Sequence, residues 1–502
     1  MKKFFGILAI VFAINGTTQA QSPTYTNEDE WQVYEDFNTA LLDKNKNIYK
    51  SDTEQPRADH RGNGSRDKDV SGCAAAIWCQ AIYYDMAINA YRRAVEEGND
   101  TRIRKYKQLA TNMYNGMKSH YVNFDFHNCN TNNGWFVYDD IMWWTAALAR
   151  ASQLYSTEGA KNNTMAKNCR TYSEQSFLRV FYGSKKVKDD GSYADPARGL
   201  PGGMFWEWQP ISGSPNPHNE NDFRSACINF PTVIAAILLH EITPEDQVYK
   251  NGSYCPTQQT KAWYLEKAKE IFDLMSTTLV VSGKVYDGIH SPDPSKRAGT
   301  AWLYNEATFI GAATLMYKMT GDKKYFTQAR SAVEYVFNNL SAGTQKILNL
   351  ATGYEQGIYC AIFAQYISLF LDQFSPYGNS DDKLTTTNFD KYMKYIDNNI
   401  NAGFKNRDDR GLNNGVFNKK TASDTYVESY GASGLPALML MFPVEKVTMT
   451  TGIAEPQAAV LQTCNNIYSL DGQLVYPNAT PSDVKALKCG LYVQDGKKMM
   501  IK

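Results

Sequence analysis

Two adjacent carboxylates set among large rings carry the most pointed chemistry in this sequence. They are Asp139 and Asp140, within the run Trp135-Phe-Val-Tyr138-Asp139-Asp140-Ile-Met-Trp143-Trp144. Burying a charge among aromatic side chains is costly unless a partner or a reaction uses it. Like charges this close also push one proton affinity upward, so that one group is ionised and the other protonated. An acid and a nucleophile working together at neutral pH need that state, and glycoside hydrolysis runs on such a pair. The two carboxyl groups lie about 5–5.5 Å apart in retaining enzymes and about 6.5–9.5 Å apart in inverting ones. Neighbouring residues of a helix point about 100° apart. Two short Asp side chains therefore suit the shorter spacing, and with it retention. The residue types do not say which Asp plays which part. Two other readings stay open: caps on a helix that begins here, and a buried pair bonded to backbone amides or Arg.

Composition narrows the partners. The chain has 502 residues, 52 of them basic and 52 acidic, so its formal net charge is zero. That argues against nucleic acid and gives no polybasic membrane surface. Aromatic content is high, at 33 Tyr, 23 Phe and 9 Trp. Flat rings suit stacking on sugars, although most will be core. Phosphate-binding, dinucleotide and Ser-nucleophile motifs are absent. His240-Glu241 lacks the second His of a zinc-protease helix. The nine Cys form no CxxC pair and read mostly as buried free thiols, with room for one or two bridges. No metal and no cofactor are expected.

The elements that must position the pair are helical. Lys2 and Lys3, the apolar run Phe4 to Ile14 and the small-residue ending at Ala20 read as an export signal over 1–20. The run is too short to span a bilayer, which needs about 20 residues. A soluble monomer in the periplasm, at the cell surface or outside the cell is expected. Residues 21 to 70 read as polar and turn-rich, with an apolar patch from Trp31 to Leu42. Apolar spacing then predicts helices over 74–94, 103–118, 138–156, 170–182, 225–242, 261–279, 303–319, 323–340, 354–374, 387–401 and 427–442. His240 to Phe272 echoes Tyr317 to Ala329, and more loosely Ala90 to Met113; each copy is a helix end, a turn and a helix start. Recurrence fits an open solenoid or a closed double ring. After Pro443 the character changes. Asp-Gly turns between the apolar runs Ile467–Val475 and Gly490–Ile501 predict hairpins, so 446–502 reads as a small C-terminal β module.

The motif Asp139-Asp140-Ile-Met-Trp143-Trp144, followed by Ala-Leu-Ala-Arg150, resembles glycoside hydrolase family 76, the bacterial endo-α-1,6-mannanases. Trp78-Cys-Gln80-Ala81 with Asp85, Gly202-Gly203-Met-Phe-Trp206, Val285-Tyr286-Asp287-Gly288 and Tyr304-Asn305-Glu306-Ala307 resemble further family segments, in order over 70–375. The resemblance implies an all-α (α/α)6 toroid over 21–445 and retaining, endo-acting cleavage of α-1,6-mannosidic bonds in α-mannan or mannooligosaccharides. It makes Asp139 the nucleophile and Asp140 the general acid/base. Gln80, Trp144, Gly203, Trp206, Asn229, Tyr286, Asp287, Tyr304, Asn305 and Glu306 become candidates for sugar contact. Each has a plainer reading: Gln80 as buried and satisfied, Gly203 as a tight turn, Asp287 as an Asx turn, Glu306 as a surface or salt-bridged group. The sequence departs from the family pattern at Cys79, Arg224-Ser225, Glu306, Ala307 and Gln356. A mannan-binding protein without activity, or another (α/α)6 polysaccharide enzyme, are the competing readings. The tail resembles short β modules of secreted Bacteroidota proteins.

Overall fold

The computed structural model describes residues 24–58, 74–126, 138–184, 202–206, 223–245, 259–290, 293–349, 356–448, 467–469, 474–476, 490–494 and 497–501. The expected signal over 1–20, together with Trp135, Trp208, Cys73, Cys129, Cys255, Cys464 and Cys489, lies outside them. Contacts divide the chain into two units, one over Pro23–Val447 and one holding Thr448–Lys502.

The larger unit is mostly helical. Its helices are α1 (Asn27–Leu41), α2 (Ile77–Glu96), α3 (Asp100–His120), α4 (Tyr138–Tyr155), α5 (Asn163–Ser184), α6 (Ala226–Ile242), α7 (Lys261–Leu279), α8 (Leu303–Thr320), α9 (Lys323–Asn339), α10 (Gln356–Gln373), α11 (Thr386–Lys405), α12 (Ser429–Ala432), α13 (Gly434–Met441) and α14 (Val444–Thr448). Two kinds alternate. In α9 the buried residues Tyr325, Phe326, Ala329, Ala332, Val333 and Val336 form one stripe, the mark of a helix with a wet side. In α6 every residue from Ala226 to Leu239 is buried, so this helix is covered on all sides. Capping follows the same division. Thr26, Asn99, Thr260, Asp322 and Thr385 accept first-turn amides of α1, α3, α7, α9 and α11, satisfying donors that would otherwise face water unpaired. The mostly buried helices α2, α6 and α8 have no side-chain cap.

Packing runs in a succession: α2 on α4, α4 on α6, α6 on α8, α8 on α10, α10 on α13, and α13 on α2. Each of α2, α4, α6 and α8 also packs on the helix that follows it, and α13 packs on α1 and α11. Arg93 of α2 ties the N- and C-terminal parts together. It pairs with buried Glu30 of α1 at 2.5 Å and donates to the Met439 carbonyl of α13 at 2.9 Å. Short antiparallel ladders precede α2, α6, α8 and α10, made of β1 (Leu42–Asp43) with β2 (Ile48–Tyr49), β3 (Arg224–Ser225) with β6 (Gly288–Ile289), β4 (Val280–Val281) with β5 (Lys284–Val285), and β7 (Ser341–Ala342) with β8 (Ile347–Leu348).

Three differences from the sequence-based expectations have clear causes. The 27–41 segment is a helix, because Thr26 and Asp29 cap each other reciprocally and Trp31, Tyr34, Phe37 and Leu41 form a buried face. Helix α5 begins at Asn163, seven residues before the expected 170. The expected helix over 427–442 is broken at Ser433. There the backbones of Gly357, Gly415, Gly431 and Gly434 meet so closely that a Cβ on Gly357 would strike the Gly431 carbonyl.

In the smaller unit, β9 (Ile467–Ser469), β10 (Leu474–Tyr476), β11 (Gly490–Gln494) and β12 (Lys497–Ile501) form an antiparallel sheet in the order β10-β9-β11-β12. The two Asp-Gly turns lie outside the described residues. Among the described residues no helix is long and apolar enough to cross a membrane.

Candidate active site

Helix α4 carries Asp139 and Asp140 in its first turn. Its start hangs on the segment 202–206, because the Tyr138 amide donates to the Trp206 carbonyl at 2.9 Å and the Trp206 amide to Phe223 at 3.0 Å. That segment is itself clamped. Asn229 accepts the Met204 amide at 2.7 Å, and its amide group donates to the carbonyls of Met204 at 3.1 Å and Ser225 at 2.7 Å. The Arg224 guanidinium lies 4.1 Å from the Phe205 ring centre and donates to the Gly202 carbonyl. Gly203 has φ +80°, and a Cβ there would sit 2.7 Å from the Met275 sulfur. Only glycine suits both constraints. The result is Trp206, 36% exposed, hydrogen-bonded to Asp139.

The two carboxyls are half-buried but sit deep enough in protein that desolvation dominates both. Burial raises Asp139 to about 6, and hydrogen bonds from Cys227, Trp206 and the Asp140 amide hold it from going further. Burial lifts Asp140 well above the usual carboxylate range, and the charge of Asp139 adds to it. Among the described residues no donor reaches the Asp140 carboxyl. Near neutral pH the proton therefore sits on Asp140 and the charge on Asp139. The first turn of a helix favours that charge through its free amides and dipole.

The opposite wall comes from α6, α8 and the β5–β6 turn. Strand β3 pairs with β6, and the Ala226 amide donates to the Asp287 carbonyl at 2.8 Å. The Asp287 carboxylate accepts from Asn305 at 2.9 Å and from Trp302. Burial raises its proton affinity. Cys227, second residue of α6, lies 2.6 Å from Ser225 Oγ and hydrogen-bonds Asp139. Tyr304 is within electrostatic reach of Asp139, Asp287 and Cys227, and its ring packs 4.5 Å from that of Tyr359. No group of His, Cys, Asp and Glu among the described residues is placed to hold a metal ion.

Residues 39–450 match the family described as glycosyl hydrolase family 76. The chain belongs to that family. Membership makes it a glycoside hydrolase, and it spans the helices that carry the Asp pair. No curated protein matches the sequence. Among solved structures the chain is similar to the α-1,6-mannanase GH76A from Salegentibacter sp. HEL1_6, with a TM-score of 0.57 and 20% identity over 84% of this chain and 99% of that one. An inactive variant of that enzyme, with two consecutive aspartates replaced by alanine, was solved with α-1,6-mannotetrose; the match has a TM-score of 0.57 and 19% identity over 84% and 99%. The family 76 mannosidase Bt3792 from Bacteroides thetaiotaomicron VPI-5482 matches with a TM-score of 0.56 and 17% identity over 85% and 98%. At these identities the likeness is one of fold.

Seen against the family 76 motifs, the predicted residues divide. Asp139, Asp140, Trp206, Asp287 and Tyr304 come together, with Asn305 directly behind Asp287. The others are corrections. Gln80 is fully buried, accepting the Tyr49 amide at 3.0 Å and donating to the carbonyls of Tyr49 at 2.8 Å and Ala75 at 3.3 Å, which leaves nothing for a sugar. Trp144 is fully buried and donates to the Ile77 carbonyl at 2.9 Å, packed against Tyr84 and Phe124. Gly203 and Asn229 serve the turn that presents Trp206. Tyr286 alternates with Asp287 along the hairpin and faces Lys284, whose ammonium lies 4.4 Å from its ring centre. Among the departures from the family pattern, Arg224 braces the 202–206 turn, while Cys79 and Gln356 are buried. Cys169 and Cys360, like Cys79 and Cys227, are buried and unbridged. Sequence reasoning missed Cys227, Trp302 and Tyr359. Position inside the matched segments was the available signal for Cys227, since its residue type gave none.

Glu306 is neither at the surface nor in an ion pair. Its Oε1 accepts the Val285 amide at 2.8 Å, and Oε2 has no hydrogen-bond partner among the described residues. Burial raises its proton affinity far above the usual range. A carboxyl raised on folding stabilises below its unfolded value and loses that contribution as pH rises through the folded one. Thermal melts across pH should therefore show Glu306→Gln holding its Tm better than the parent toward alkaline pH, with glycan kinetics unchanged. Parallel decline of the two would contradict the placement.

Proposed function

We propose that this chain is a retaining endo-α-1,6-mannanase acting on α-mannan. The observation that carries the reading is two carboxyls in one helical turn beside the exposed ring of Trp206: burial raises the proton affinity of both, and among the described residues hydrogen bonds reach Asp139 and not Asp140. Asp140 gives its proton to the leaving glycosidic oxygen as Asp139 attacks the anomeric carbon and forms a glycosyl ester. Water then attacks that carbon, Asp140 takes the water's proton, and Asp139 leaves. Two short side chains on adjacent residues suit the closer carboxyl spacing of retaining enzymes, about 5–5.5 Å, which favours retention. The neighbouring enzyme solved with α-1,6-mannotetrose supports the linkage. The succession α2, α4, α6, α8, α10, α13 and back to α2 supports the (α/α)6 toroid. A catalytic domain over 21–445, a β module over 446–502, action as a monomer and export through the Lys2–Ala20 segment complete the proposal.

Incubation with linear α-1,6-mannan and with branched yeast mannan tests it, with product anomers followed by NMR. Mannooligosaccharides of retained configuration are expected; no product from either glycan would sink the reading. The pH profile of kcat/KM should be bell-shaped. Below about 6 Asp139 takes up a proton and can no longer attack, so an acidic limb is expected near that pH. The basic limb follows loss of the Asp140 proton and lies higher. A profile flat from pH 4 to pH 6 would contradict the assignment.

A further inference from the structure

Two aspartates in one helical turn share burial, and among the described residues donors from outside α4 reach Asp139 and none reaches Asp140. We infer that Cys227 is a positioning residue: its thiol, backed by Ser225, holds the Asp139 carboxylate in the attacking role. The inference rests on the retaining-hydrolase reading above. Three kinds of donor reach Asp139: backbone amides, the Trp206 indole and the Cys227 thiol. The amides that reach Asp139, those of Asp139 and Asp140, belong to the same turn of α4. The Trp206 ring is 36% exposed and lies where a sugar would stack. Cys227 comes from another helix, is buried, and is fixed by Ser225 Oγ 2.6 Å from its sulfur. The Ser225 hydroxyl donates to sulfur and the thiol donates to Asp139, a chain in which each bond polarises the next.

The surroundings keep that thiol protonated. Burial and the charges of Asp139 and Asp287 all oppose a thiolate, so Cys227 is a donor at every working pH. Among the described residues, the titratable groups facing Asp139 are Asp140 from α4, Cys227 from α6 and Tyr304 from α8, with Asp287 of the β5–β6 turn acting on Cys227 and Tyr304. Among the described residues, Arg179 lies over the Tyr138 ring and Arg224 over the Phe205 ring. With acids on several sides, donors decide where the charge settles. Pro231 has no amide to return to the Cys227 carbonyl four residues earlier, so that helix bond is absent beside the thiol.

The full chain tests this through kcat/KM against pH on α-1,6-mannan. Loss of one hydrogen bond to a charged group should move the acidic limb of Cys227→Ala up by about one pH unit. Cys227→Ser, which restores a donor, should return the limb close to the parent. A limb unmoved in Cys227→Ala, or moved equally in Cys227→Ser, would overturn the inference. Should Cys227→Ala not fold, the thiol can be watched directly. The infrared S–H band isolated by subtracting the Cys227→Ser spectrum should shift on Asp139→Asn, and a band that stays put would overturn the inference. A parent chain that cleaves no mannan would instead defeat the hydrolase reading, while the band still reports whether Cys227 holds Asp139.

Discussion

Asp140→Asn should lower kcat by about 10²–10⁴-fold and Asp139→Asn by more, since no bond to the anomeric carbon can then form, yet both variants should melt higher than the parent at pH 7. The sign follows from the raised proton affinities. An unfolded Asp titrates near 3.9, whereas the folded pair binds protons more tightly. The pair's contribution to stability is full below about 4 and is lost as pH rises through about 6 for Asp139 and through a higher value for Asp140. At pH 7 the fold therefore holds a desolvated charge on Asp139 and a proton on Asp140, where the unfolded chain has both groups ionised in water. Asn at either position removes one of these costs, and for Asp139→Asn the gain is about 1–2 kcal/mol after discounting for partial exposure, a Tm rise of roughly 2–4 °C. Melts at pH 4 and pH 7 check this. The gain should vanish at pH 4, and variants that melt like the parent at pH 7 would show that the site stores no such strain.

Asn229→Ala should be the most damaging change outside the pair. It leaves the Met204 amide and the carbonyls of Met204 and Ser225 without the partner they now have. Each buried orphan costs about 1–3 kcal/mol, so a loss of about 2–5 kcal/mol and a clearly lower Tm are expected. Activity should fall as well, because Trp206 and the start of α4 both hang on this segment. A residue that only bound sugar would behave differently, raising KM while leaving the melt untouched. Calorimetry beside Michaelis kinetics separates the two, and an unchanged Tm would return Asn229 to the sugar.

Asn229 also illustrates what the sequence can carry. Membership of the motif was readable, since Gly203, Trp206, Asn229 and Asp287 all fall in segments that resemble the family. Whether a side chain meets substrate or its own backbone was not, because both uses call for the same amide or carboxylate. Gln80 and Glu306 went astray for that reason. Helix periods placed most elements within a few residues. The miss at α1 came from reading 21–70 by overall polarity. Trp31, Tyr34, Phe37 and Leu41 held the period, and Thr26 with Asp29 held the capping box. The break at Ser433 had local signs in Gly431, Gly434 and Pro436, but its close packing on Gly357, more than seventy residues away, had none.

The bridge from Arg93 to Glu30 and Met439 sets an order of events during synthesis. Two buried charges made early, in α1 and α2, wait for a carbonyl that emerges near the end of the helical unit. Until residue 441 has been made, α13 is missing, and part of the faces of α1, α2, α10 and α11 has nothing to pack against. A growing chain can lay down α1 to α12 and still be open along one seam. The last clasp to form joins the two ends of the unit, so its folding finishes only when its sequence does.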